Sequence, residues 1–143
     1  MASYRPMTLE VQAFLLCDSV MRDAQTGKAI IHGVFDRIWA TNFPAVHKSC
    51  AAYFRIRIDD VSRDYKLELV VVTPSGLRQP MPEIPLAVAN SLAEGNINIE
   101  GLPLPEAGSY EIELRINKSR VARFFLTVLT VGTEEQTHGR SIH

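Results

Sequence analysis

The sequence lacks most of the signatures that assign chemistry to a chain. Among its 143 residues there are two cysteines, Cys17 and Cys50, and no CxxC or HxH pair. A zinc site of the usual spacing is therefore not expected. No GxSxG elbow, P-loop or GxGxxG turn occurs, so neither a nucleophile elbow nor a phosphate cradle is legible. Fifteen basic residues against sixteen acidic give a net charge of −1. A nucleic-acid binder usually carries a basic excess, and no nucleic-acid partner is expected. No apolar run reaches the ~20 residues of a membrane helix, so no membrane span is expected. The short stretch Ala13–Cys17 is interrupted upstream by Glu10 and Gln12 and ends in bulky leucines, unlike a signal peptide. It reads as the first strand. Two thiols among apolar neighbours, in a chain with no secretory signal, read as buried free cysteines in a cytoplasmic protein. No internal repeat is present.

Strand alternation is plentiful. Phe54, Ile56 and Ile58 share a face, with Arg55 and Arg57 opposite. Leu67, Leu69 and Val71 repeat the pattern, as do Ile97 and Ile99. Tyr110, Ile112, Leu114 and Ile116 alternate with Glu111, Glu113 and Arg115, and Ala122, Phe124, Leu126 and Val128 form the matching face of the last strand. A period of two with one dry and one wet face is antiparallel sheet. Turn chemistry separates the runs. Asp23–Gly27 divides a strand at about 9–18 from one at about 28–39, and Asp59–Asp64 reads as a hairpin between the Phe54 and Leu67 strands. Thr73-Pro74-Ser75-Gly76 and Pro105-Glu106-Ala107-Gly108 close others, and Asn117–Arg120 reads as a tight hairpin around Lys118-Ser119. Leu77–Pro85, with three prolines, cannot be a central strand. Leu86–Gly95 reads as a short helix or, better in this context, an edge strand or loop. The expected fold is all-β: one antiparallel two-sheet β-sandwich of about seven to eight strands, immunoglobulin-like or C2-like. It would span residues 1–131, with a flexible tail over 132–143.

The densest segment is Gly33–His47, which holds the single tryptophan, Phe35, Phe43 and the pair Asp36-Arg37. Trp and Arg are favoured at binding hot spots, so Asp36, Arg37, Trp39 and Phe43 form a candidate partner-binding surface. The plainer reading, which is preferred, is a crossing between sheets. In it Trp39 and Phe43 plug the core, and Trp39→Ala costs about 3–5 kcal/mol. Asp59, Asp60 and Asp64 resemble the loop aspartates of calcium-binding modules, but no DxD spacing is present and Arg63 interrupts them, so a solvated turn is preferred. Cys17 or Cys50 beside His32 or His47 is a conceivable nucleophile, although apolar surroundings raise a thiol pKa. His138 and His143 fall in the expected tail. Arg115, Lys118, Arg120 and Arg123 form a basic cluster, for which cross-strand pairing with Glu111 and Glu113 is the simpler account.

Several segments together carry a resemblance. FLLCDSV, then TGKAIIHGVFDRIWA, FPAVH, and far downstream PEAGSYEIELRINKSRVARFFLTV are similar to a family of small bacterial β-sandwich domains of uncharacterised function. The resemblance covers about residues 10–129. Its markers are Gly33, Phe35, Asp36, Arg37, Ile38, Phe43, Pro44, Gly108, Tyr110 and Arg123, and the last segment also resembles the closing hairpin of immunoglobulin-like and C2-like bacterial modules. The family offers no catalytic residues to carry over, and no cofactor is expected. The expectation is a non-enzymatic binding or assembly module with a protein partner or self-association through an open strand edge. The rivals are a C2-like module binding a cation or ligand through Asp59, Asp60 and Asp64, and a cryptic hydrolase.

Overall fold

A computed structural model describes residues 9–131. The expected tail lies outside them, as do His138 and His143. The described residues form ten strands and no helix. These are β1 (Leu9–Arg22), β2 (Ala29–Phe35), β3 (Arg37–Ala40), β4 (Ala45–Ile58), β5 (Tyr65–Val72), β6 (Arg78–Pro80), β7 (Ile84–Leu86), β8 (Leu92–Leu104), β9 (Gly108–Ile116) and β10 (Ser119–Thr130). They make a four-stranded sheet in the order β2-β1-β4-β8 and a six-stranded sheet whose main path is β3-β10-β9-β5-β6, with β7 also on β5.

The count exceeds the expected seven to eight for two reasons. The strand foreseen at 28–39 breaks at Asp36, whose carbonyl accepts from Thr127 of β10. Up to Phe35 the chain pairs with β1; from Arg37 it pairs in parallel with β10. The inward parity shifts by one at the break: Phe35 packs against the core before it and Ile38 after it, while Asp36 and Arg37 between them are exposed. The proline-rich stretch supplies the other extra pieces. β6 and β7 are three residues each and pair with the flank of β5, as edge positions suit proline.

The Asp59–Asp64 segment is not a hairpin. β4 and β5 belong to different sheets, and this loop carries the chain between them. Asp60 caps Ser62 in its own turn, and the Tyr65 phenol donates to the Asp60 carbonyl at 2.6 Å. Pro105–Ala107 makes a second crossing, from β8 to β9, tied in the same way by Tyr110 to Glu106. The Asn117–Arg120 hairpin is present, but its central pair is Asn117-Lys118, with Ile116 opposite Ser119. Both central residues are left-handed (φ 49 and 71), as a two-residue turn matching the twist of its strands requires. Leu92–Gly95 is strand, the start of edge strand β8.

The sheets share one core. Leu16, Ala52, Phe54, Ile56 and Ile99 come from the first, and Leu67, Leu69, Ile112, Leu114, Leu126 and Val128 from the second. Each such fully buried aliphatic side chain contributes roughly 1.5–3 kcal/mol. Phe14 of β1 meets Phe124 of β10 edge to face at 5.6 Å. β4 is also buried on its other side: Ala51 is 1% exposed and Tyr53 5%. β1 stays paired to β4 only as far as Cys17. Beyond that Arg22 reaches Glu94 on β8, past the far side of β4, with an N–O distance of 2.9 Å. The end of the β1–β2 hairpin therefore lies across the outer face of β4 and covers it.

Candidate binding surface

β3 is the edge strand of the six-stranded sheet. Ile38 is its core residue, 8% exposed, so Arg37 and Trp39 point to the opposite, outer face. The parallel register sets Arg37 beside Thr127 and Trp39 beside Leu129. On β10, Leu126 and Val128 are in the core, so Phe125, Thr127 and Leu129 share that outer face. Phe125 is 53% exposed, and the Arg123 guanidinium stands 5.4 Å from its ring centre. Trp39 is half-buried and does not enter the core, which corrects the expectation that it plugs the core. The crossing between sheets is real, but Ile38 is what it buries.

Asp36 and Arg37 are strongly exposed and pair only loosely, at 3.5 Å. Phe43 packs against the core from the loop that returns the chain to β4, so the structure separates it from Arg37 and Trp39. The backbone of β3 adds a second feature. Asp36 and Ala40 accept through their carbonyls from the N–H of Thr127 in β10 and of Val131 just after it. By strand alternation, Arg37 and Trp39 turn their N–H and C=O groups to the open edge. Sequence reasoning missed Phe125 and Leu129, although the signal was present: the alternation that buries Phe124, Leu126 and Val128 leaves an aromatic and a leucine on the wet face.

The other candidates fare differently. The basic cluster is paired: Arg123 and Arg120 reach Glu111 at 3.2 and 3.7 Å, and Arg115 reaches Glu113 at 3.3 Å. Glu113, 5% exposed, also accepts from Arg78 at 2.8 Å, and this hydrogen bond holds its carboxyl below the usual range. The three loop aspartates do not converge. Asp59 faces Arg57, Asp60 caps its own turn, and only Asp64 borders the cleft of about 340 Å³ between this loop and β7, with Lys66, Tyr65, Leu86 and Val88. Among the described residues no group of three or more His, Cys, Asp or Glu could hold a metal ion. Cys17 and Cys50 are buried and free. Burial pushes the Cys50 thiol up to about 11 and raises that of Cys17 as well, where the Sγ also donates to the Ala51 carbonyl. A thiol so held is a poor nucleophile. His47 is tilted against Phe35 at 5.4 Å, and burial lowers its pKa. Its Nε2 is buried without a hydrogen-bond partner. His32 is exposed on β2. No helix among the described residues is long and apolar enough to cross a membrane.

The chain belongs to DUF6941, a family of unknown function, whose model matches residues 12–129. This agrees with the resemblance read from the GVFDRIWA and PEAGSYEIEL segments. No curated protein matches the sequence. Among solved structures, the fold is similar to part of the Pseudomonas fluorescens alkylpurine DNA glycosylase AlkC, bound to DNA containing an abasic site analog. The TM-score is 0.54 and the identity 7%, over 85% of this chain and 30% of that one. The chain thus spans less than a third of the glycosylase, and at this identity the likeness is one of fold. An immunoglobulin-like protein from Pseudomonas aeruginosa aligns with a TM-score of 0.42 and 12% identity, over 85% of this chain and 96% of that one.

Proposed function

We propose that this member of a family of unknown function is a non-catalytic protein-binding module. In this reading its two sheets act as an immunoglobulin-like sandwich, and the outer face at the β3 edge grips a partner. Trp39, Leu129 and Phe125 supply the apolar contact, and Arg37 and Asp36 supply its polar rim. One observation carries the reading: the single tryptophan lies on the outer face beside Leu129, on the same face as the half-exposed Phe125. Aromatic and arginine side chains gathered on an otherwise polar sheet are the composition of a hot spot. Phe43 packs against the core from its loop and takes no part in this surface. The Cys–His pairs lack an activated thiol and the loop aspartates lack convergence, so neither rival reading gains a comparable site.

The test is a double variant, Arg37→Glu with Phe125→Ser, compared with the wild-type chain in photocrosslinking from position 127 in its host. Both changes lie on the outer face, so the circular dichroism spectrum and melting temperature should stay close to wild type. Loss of the crosslinked partner, with affinity down by roughly 30-fold or more, is the expected result. A partner that still crosslinks equally well to the folded double variant overturns the reading.

A further inference from the structure

The four-stranded sheet ends, at the side away from β2, in an edge of a different kind. β8 is thirteen residues long and ends the four-stranded sheet. Edge strands are normally short, or carry lysine, proline or inward-pointing charge to prevent pairing. From Glu94 to Glu100 this one has no Lys, Arg or Pro; its proline, Pro103, comes after left-handed Gly101.

The direction of its free backbone groups follows from the ladder. Ile58 donates its N–H to the Ser91 carbonyl at 3.0 Å. In an antiparallel pair such hydrogen-bonded positions recur every second residue, so Gly95, Ile97 and Ile99 face β4, opposite Phe54, Ala52 and Cys50. Glu94, Asn96, Asn98 and Glu100 then direct their N–H and C=O groups to the open edge. The segment Glu-Gly-Asn-Ile-Asn-Ile-Glu reads nearly the same in both directions about Ile97. An isologous two-fold contact requires this kind of self-complementarity.

We infer that a second copy of this chain pairs antiparallel with β8 about a two-fold axis at Ile97. In that register Asn96 faces Asn98 of the second copy, and every outward backbone group from Glu94 to Glu100 finds a partner. Ile97, half-buried at the rim of the core, meets Ile97 of the second copy. Glu94 comes opposite Glu100, which at first sight repels. Glu94, however, already lies between Arg22 at 2.9 Å and Arg55 at 3.3 Å, so its cluster carries one net positive charge. Glu100 is exposed and has no ion-pair partner among the described residues. Each copy therefore offers an unpaired carboxylate to the other's cationic cluster, once at each end of the contact. The two four-stranded sheets become one, and both β8 edges are consumed. This surface is remote in the topology from the β3 edge, so its failure would leave the Trp39 reading untouched.

Sedimentation equilibrium on the full chain tests it. The wild type is expected to form a dimer. Asn98→Pro removes an outward N–H without touching the ladder to β4, and should give a folded monomer. Glu100→Lys sets a cation against the Arg22 and Arg55 cluster, and should weaken the dimer by about tenfold or more. Ile97→Cys tests the register: Cα atoms of directly opposed non-hydrogen-bonded residues are about 4.5 Å apart, within disulfide reach, so mild oxidation should yield a covalent dimer. A wild type that stays monomeric at high concentration overturns the inference. So does a dimer that survives both Asn98→Pro and Glu100→Lys, or one that Ile97→Cys does not crosslink.

Discussion

Tyr110 reaches back four residues to Glu106: its phenol donates to the Glu106 carbonyl at 2.6 Å and accepts from the Glu106 N–H at 3.1 Å. The ring is fully buried, and the bond ties the β8–β9 crossing to the start of β9, the geometry of a tyrosine corner. Tyr65 makes the matching bond to Asp60 at the β4–β5 crossing. Tyr110→Phe leaves two backbone groups without this partner and should cost about 1–3 kcal/mol in urea unfolding. Burial raises the pKa of Tyr110, Tyr65 and Tyr53, so the folded state holds these protons more tightly than the unfolded chain. Their contribution is complete below the unfolded value near pH 10 and is lost as pH rises through the folded values. The melting temperature should therefore fall steeply on the alkaline side, and less steeply in Tyr110→Phe. An alkaline profile identical in the variant would place the titration elsewhere.

Gly33 and Asp18 lie opposite each other in the β1–β2 pair, between Cys17–Val34 and Ser19–His32. Gly33 has φ +68, and a Cβ built on it would collide with Asp18 Oδ2. The carboxylate is the movable end of a side chain, so the backbone conformation is the larger cost. Gly33→Ala should lose about 1–2 kcal/mol, and adding Asp18→Ala should restore little of it. Full recovery in the double variant would assign the cost to the clash instead.

What the sequence made legible was local. Alternation in Phe54–Ile58, Leu67–Val71 and Tyr110–Ile116 marked core faces correctly, because burial of one side is written into every second residue. Sheet membership was not legible at Asp36 or at Asp59–Asp64, since a crossing and a hairpin use the same polar, turn-forming residues. Trp39 misled for a related reason. Its size argued for the core, while its parity with Ile38 argued for the outer face, and parity decided. The cover that Arg22 and Glu94 hold over Tyr53 joins residues 72 positions apart, and no local pattern encodes such a contact.

Cys17 and Cys50 should be inert in the folded chain. Both are buried, and burial raises both thiols, Cys50 to about 11. Near pH 8 the thiolate fraction at Cys50 is of order one in a thousand. A chromogenic disulfide reagent should therefore react with neither residue under native conditions and with two per chain in guanidinium. Fast native labelling of either cysteine would revive a thiolate nucleophile.

Trp39 and Ile38 are neighbours on β3 with opposite surroundings, so truncating each separates a surface role from a core role. Ile38 is buried at 8% exposure among the core residues, and Ile38→Ala should cost about 2–5 kcal/mol. Trp39 meets Leu129 across the ladder on the outer face, and Trp39→Ala should cost only about 0.2–1 kcal/mol. Because Trp39 is the single tryptophan, its fluorescence reports this directly: acrylamide should quench it readily in the native chain. Bound partner should shield it and shift its emission to the blue. A native tryptophan protected from quencher, with a Trp39→Ala cost equal to that of Ile38→Ala, would return the indole to the core and remove the binding surface with it.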